Sequence, residues 1–130
     1  MESVSNESLE WVPAPEEHFT GRAWFGRHRI PAHPADLDVL GVTFEPGART
    51  DWHTHPEGQA LFVVTGRARV ATRDGQVVEA GPGDTVYAPP GEEHWHGATP
   101  DSPLTHLSIT YGGATEWVDD KVSDEDYDVR

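Results

Sequence analysis

Residues 47–66 read GARTDWHTHPEGQALFVVTG. Three potential metal ligands, His53, His55 and Gln59, fall inside seven residues of this stretch. His53 and His55 are two apart, so on an extended strand both imidazoles leave the same face. Pro56 and Gly58 then turn the chain, and Gln59 opens the apolar run at 61–64. A β-hairpin here would bring the amide beside the two histidines. A second cluster, 83–98 GDTVYAPPGEEHWHGA, holds His94 and His96, again two apart. Two His-x-His pairs in a short chain rich in strand signals predict a metal centre inside a β-barrel.

Outward from these clusters, short strand-like runs recur every 8–12 residues or so, the spacing of an all-β sandwich or barrel. They include 38–44, 60–66, 67–73, 76–80, 93–98 and 105–111. Asp74-Gly75 is the strongest hairpin signal and suits a type I′ turn. No helical period exceeds two turns before the C-terminal segment, where Ser123 can cap one short helix over the acidic residues after it. The expected fold is all-β, a jelly-roll barrel or double-stranded β-helix. Alternation assigns faces. Asp51 should point inward with His53 and His55, while Trp52 and Thr54 point out. His96 shares the face of His94, and His106, Ser108 and Thr110 share another, as do Leu40, Val42 and Phe44.

The 130 residues make one domain, divided into an arm (1–18), a barrel (19–112) and an acidic C-terminal tail (113–130); the arm reads either as a disordered end or as a segment laid across a neighbouring subunit with Trp11 as its anchor. Pro31 should end an opening strand that starts at Phe19. Without cysteine, disulfides and thiolate ligands are excluded. No run approaches the roughly 18 apolar residues of a membrane span, and the polar start has no secretory signal, so the expectation is a cytoplasmic protein. The net charge of −14 gathers in the two end segments, which hold 12 of the 23 acids. Nucleic-acid binding would need a basic face, so that partner class is discounted. The aromatic content, with Trp52 and Trp95 facing out, predicts a homodimer or homotetramer. His18, His28 and His33 lie outside both clusters and read as ordinary side chains; Arg49 reads as a surface residue.

The spacing Gly47, His53-x-His55, Gln59, Gly66, followed by Gly83, Pro89-x-Gly91, His94, resembles the two motifs of the cupin superfamily. Gln59 stands where a Glu is usual, and Ala98 where an Asn is usual. The flanking text, with THLSI at 105–109 and Glu116-Trp117, is similar to the small bacterial cupin hydroxynitrile lyases. That resemblance implies a metal held by His53, His55, Gln59 and His94, with manganese favoured and iron, nickel or zinc as alternatives. It also makes Leu40, Val42 and Thr110, together with His96 and His106, the pocket wall, to which the shared face of strand alternation adds Phe44. Thr110 replaces a glutamine of the resembling enzymes. Three imidazoles and an amide leave the metal's charge uncompensated, which strengthens it as a Lewis acid, and the amide oxygen leans toward harder ions. Gln59 is read either as a ligand or as a hydrogen-bonded neighbour of the metal.

The function this implies is reversible cleavage of small cyanohydrins of the mandelonitrile type to aldehyde and hydrogen cyanide. His96 would be the base and His106 the group near the departing cyanide, or both would be hydrogen-bonded wall. The alternatives are a metal-dependent dioxygenase on a small aromatic or enol substrate and a non-catalytic small-ligand-binding cupin. Acid should release the metal across the imidazole range, around pH 5–6.

Overall fold

Glycine and proline punctuation cuts the chain into runs of eight residues or fewer, and a computed structural model pairs them into two antiparallel sheets. The structure describes residues 1–28, 30, 32 and 34–128. Pro31 and His33 therefore lie outside the described residues. In chain order the strands are β1 Trp11–Pro13, β2 Phe19–Thr20, β3 Ala23–His28, β4 Asp38–Phe44, β5 Arg49–Thr50, β6 His53–Thr54 and β7 Gln59–Gly66. They continue as β8 Ala68–Thr72, β9 Val77–Ala80, β10 Thr85–Ala88, β11 His94–Ala98, β12 Leu104–Thr110 and β13 Glu116–Trp117. One helical turn, α1, follows at Asp124–Tyr127.

One sheet has the order β1-β3-β4-β12-β7-β10. The other has the order β13-β6-β11-β5-β2, with β8 and β9 attached through β11. This is the two-sheet β-barrel that the strand spacing predicts. Strand β12 shows the alternation most plainly: Leu104, His106, Ser108 and Thr110 are buried, and the residues between them are half-buried. Phe44, Val63, Leu104 and Ala98 fill the closed end of the barrel with almost no exposure, while the histidines occupy its open end. Among described residues no helix is long and apolar enough to cross a membrane.

Three local expectations are corrected. The hairpin at Asp74-Gly75 is not a type I′ turn, because only Gly75 of the pair has positive φ, at 92°. The Gly75 N–H donates to Thr72 O and the Thr72 N–H to Gln76 O, a three-residue loop in which a turn precedes a left-handed glycine. The N-terminal arm lies on its own barrel, where β1 pairs antiparallel with β3, Trp11 opposite Gly26. The C-terminal segment is not a free tail. Strand β13 pairs with β6, placing Trp117 opposite His53, and Val122 and Tyr127 are buried.

That last segment covers the aromatics expected to seek a partner. Trp52 and Trp95 do turn away from the histidines, but they form a second apolar cluster with Ala71, Val122 and Tyr127. The guanidinium of Arg73 lies 3.9 Å above the Trp52 ring. These tryptophans therefore supply no argument for an oligomer. Arg49 is likewise not a surface residue. It is buried and donates to the carbonyl of Val122 at 2.7 Å and to Asp124 at 2.8 Å, tying the segment down.

Candidate metal centre

Strands β6, β7 and β11 each deliver one group to a common point. His53 and His94 are direct cross-strand partners on β6 and β11, and their rings approach to 4.5 Å. Each is held from behind in the same way. His53 Nδ1 lies 2.8 Å from Asp51 O, and His94 Nδ1 lies 2.9 Å from Glu92 O. A carbonyl can only accept, so Nδ1 carries the ring proton in both and Nε2 is left as a lone pair.

Gln59, at the start of β7, is oriented by Ser108 of β12: its Nε2 donates to Ser108 Oγ at 2.7 Å. The amide oxygen therefore faces the histidines, 2.9 Å from His94 Nε2. A neutral imidazole has one N–H, yet His94 faces two acceptors, Glu92 O and Gln59 Oε1. One of these contacts sets lone pair against lone pair. His55 adds to the pattern. It is 5% exposed, its ring is 5.1 Å from His53 and 5.8 Å from His94, and both of its nitrogens are buried without a hydrogen-bond partner. Buried polar atoms are normally paired. Converging lone pairs and orphaned imidazole nitrogens are the donor set of a cation, and they fit a divalent metal.

His96, two residues along β11, completes the cluster. Ring nitrogens of His53, His94 and His96 all lie within 4.8 Å of one another, and this grouping suggests a divalent metal. His96 Nδ1 is 3.0 Å from His106 Nε2. All five imidazoles are held below the ordinary histidine range, above all because burial disfavours the cation. His53 and His96 are pushed well below it, His94 is lowered, and His55 and His106 fall to about 4. Repulsion by neighbouring imidazoles adds to the effect for His53, His55 and His96. The site is a set of neutral bases.

A cavity of about 370 Å³ opens above the cluster. His53, His55, Gln59 and His96 reach it, as do Leu40, Val42 and Thr110 of the expected wall. Two expected wall residues stand elsewhere. Phe44 and His106 have no exposure and do not line the cavity. Strand β4 runs past the site into the closed end, so Phe44 lies behind it, its ring 5.3 Å from His106 and 6.0 Å from His96. His106 backs His96 and does not reach the substrate space.

Asp51, expected inward, does not line the cavity. A bend at residue 52 separates β5 from β6 and breaks the alternation, so Thr50 and His53 both reach the cavity while Asp51 pairs with Lys121 Nζ at 3.2 Å. Burial raises the Asp51 pKa, against the lowering effect of that lysine.

Several cavity residues were not foreseen. His18 lines the cavity and stacks on Trp117 at 4.1 Å with ring planes 2° apart. Phe19 and Phe25 supply further aromatic wall, and Arg27 and Asp38 form an ion pair among the lining groups. Nothing in the first 18 residues marks His18, whereas Ser108 already shared the inward face of His106.

The family model described as "Cupin domain" matches residues 41–110. An (R)-mandelonitrile lyase from Granulicella tundricola is 45% identical over 116 residues, covering 87% of this chain and 88% of that protein. Among solved structures, a cupin-like protein from Thermotoga maritima superposes with a TM-score of 0.83 at 37% identity, covering 88% of this chain and 89% of that one. A polyketide cyclase from Streptomyces resistomycificus, at 20% identity, shares the fold with a TM-score of 0.76, over 98% of this chain and 90% of its own.

Proposed function

The chain belongs to the cupin family, and on that premise we propose that it is a metal-dependent hydroxynitrile lyase acting on small cyanohydrins of the mandelonitrile type. The observation that carries this reading is His96: a buried neutral imidazole on the wall of an apolar-sided cavity, beside a cluster of neutral metal-ligating groups. The 45% identical mandelonitrile lyase supports the same reaction class.

His53, His55, Gln59 and His94 would hold the metal. The choice of His55 over His96 rests on its two unpartnered nitrogens, whereas Nδ1 of His96 is engaged by His106. An amide oxygen with three imidazoles suits manganese, with iron, nickel and zinc the alternatives. A divalent ion bound there would supply Lewis acidity toward the substrate hydroxyl.

The remaining work falls to side chains. His96 Nδ1 and His106 Nε2 lie 3.0 Å apart and share one proton; we take the tautomer in which His96 is the donor, which would leave its Nε2 bare toward the cavity. That nitrogen takes the cyanohydrin O–H proton. As the carbon–carbon bond to the nitrile breaks, its electron pair leaves with cyanide and the oxygen's pair closes the carbonyl. His96 then returns the proton to cyanide, and aldehyde and hydrogen cyanide depart. His106, which does not line the cavity, would act as a positioning residue by holding the His96 ring through this contact, and would not touch cyanide. Leu40, Val42, Phe25 and Trp117 supply apolar and aromatic surface for the substrate's ring or alkyl group.

The test pairs elemental analysis with assays of mandelonitrile cleavage and oxygen uptake on one sample. Cyanohydrin cleavage with bound metal and no oxygen consumed is the expected result. His96→Ala should keep its metal and lose about 10²–10⁴-fold in turnover. Oxygen uptake on enol or aromatic substrates without cyanide release would point instead to a dioxygenase.

A further inference from the structure

An antiparallel sheet over a core turns apolar side chains inward and leaves charge to its outer face. Strands β3 and β4 keep this rule at the closed end of the barrel and reverse it at the open end. On β4 the inward positions run Phe44, Val42, Leu40 and then Asp38; on β3 they run Ala23, Phe25 and then Arg27. Their outward positions, Trp24, Val39, Gly41 and Thr43 among them, hold no carboxylate or guanidinium. The same outer face continues to Phe62 and Tyr87, both exposed. Charge that an ordinary surface ion pair would place outside is thus turned into the cavity. Among the described residues that line it, Arg27 and Asp38 are the only Arg, Lys, Asp or Glu.

Register sets their distance from the chemistry. Leu40 lies opposite Ser108, the residue that orients Gln59, and Asp38 lies opposite Thr110. Asp38 therefore stands one pleat repeat, about 6.8 Å, nearer the mouth than the level of the metal-ligating amide. That is comparable to the reach of a benzene ring with a substituent at its far end. The ion pair is not bidentate: Arg27 Nη1 donates to Asp38 Oδ1. The other guanidinium nitrogens and Asp38 Oδ2 are left outside the pair, so a donor and an acceptor face the cavity side by side.

We propose that the Arg27–Asp38 pair recognises a hydroxyl on the substrate, so that the preferred cyanohydrin carries an aromatic ring with a hydroxyl at the end far from the carbinol carbon. A hydroxyl is the smallest neutral group that satisfies both partners, donating its O–H to Asp38 and accepting an N–H from Arg27. A carboxylate there would pair with Arg27 but face Asp38 in a chain of net charge −14, and an ammonium would face Arg27. An unsubstituted ring would bury part of the pair with nothing in return, which costs affinity. Phe25, beside Arg27 on β3, and Leu40 supply the apolar wall along which the ring would lie. Which end of the substrate lies at the metal is taken from the lyase reading, on which this proposal rests.

Calorimetry on the full metal-loaded chain compares three alcohols whose carbinol stands in for that of the cyanohydrin: benzyl alcohol, 4-hydroxybenzyl alcohol and 4-(hydroxymethyl)benzoate. The ring hydroxyl should tighten binding about 10-fold over benzyl alcohol, as hydrogen bonds to charged groups do, and the benzoate should bind no better than benzyl alcohol. With Arg27→Met and Asp38→Leu together, the preference for the hydroxyl should vanish. In Asp38→Asn the guanidinium loses its counter-charge, and the benzoate should gain about 10-fold relative to benzyl alcohol. Loss of a merely structural ion pair would not produce that inversion. Circular dichroism and metal content check that each variant is folded and loaded. Equal affinity of the parent chain for the hydroxylated and bare rings overturns the proposal, as does a preference that survives in the double variant. Affinity needs no turnover, so failure of the lyase reading shows separately, as mandelonitrile left uncleaved.

Discussion

His94 faces two acceptors with one ring proton to give, and that imbalance is the sharpest physical statement about the site. It depends on Ser108, whose hydroxyl accepts the Gln59 amide N–H and turns the carbonyl oxygen inward. Ser108→Ala frees the amide to rotate and offer its NH₂ to His94, which stabilises the metal-free state. The expected outcome is metal affinity weakened by about 10–100-fold, measured by chelator competition on the folded protein. Unchanged affinity would show that Gln59 is not oriented for the metal. His55→Ala should go further and leave the protein without stoichiometric metal by elemental analysis, whereas His96→Ala should remain loaded. The residues of this cluster were legible because strand alternation and the turn at Pro56–Gly58 both act over a few positions. Asp51 was misplaced for the complementary reason: a bend at residue 52 resets the alternation, and no residue type there announces it. His18 was missed because its role comes from stacking on Trp117, about a hundred positions away in sequence.

The C-terminal segment, β13 through α1, is the element that sequence composition concealed. Its acids made it read as solvated, and its half-buried Trp117 and buried Val122 and Tyr127 are five apart, a spacing that matches neither strand nor helix periodicity. It covers the outer face of the second sheet, where Val122 and Tyr127 pack on Trp52 and Trp95. The Tyr127 ring lies between the guanidinium groups of Arg49 and Arg69, at 4.5 and 5.1 Å, and its hydroxyl donates to Ala98 O at 2.6 Å. The same segment carries Trp117 to the cavity wall, so anchoring and substrate space are linked. Tyr127→Phe leaves the Ala98 carbonyl unpaired and should cost about 1–3 kcal/mol. Tyr127→Ala also removes the packing against Trp95 and should cost about 3–5 kcal/mol. Urea unfolding checks both values. If Tyr127→Ala is as stable as the parent chain, the segment does not hold the barrel together. The strands of the barrel itself were legible because turn residues bound them, and the exposed Tyr87 and Phe62 face was not, since outward position emerges only once register is known.

At the scale of the whole molecule, the five buried imidazoles set the response to acid. In the unfolded chain a histidine titrates near 6.5; in the native protein His55 and His106 are lowered to about 4, and His53, His94 and His96 are lowered as well. Above the unfolded value neither state binds these protons, so their contribution to stability is fully present. Between that value and about 4 the unfolded state binds protons that the native state refuses, so stability falls as pH falls. Below about 4 His55 and His106 protonate in both states and their loss stops growing. A shift of this size amounts to about 3 kcal/mol for each of these two groups, a large share of the 5–15 kcal/mol typical of a domain. The metal-free protein should therefore unfold in acid at a midpoint above pH 4. Bound metal needs neutral imidazoles, so it should move the midpoint to lower pH and steepen the transition. The unperturbed imidazole range alone would put metal loss at around pH 5–6 in an intact barrel. With the native imidazoles resisting protonation, metal loss should instead coincide with unfolding. Metal release and far-ultraviolet circular dichroism followed on one acid titration decide this, and release that clearly precedes unfolding would show that the imidazoles titrate while still buried.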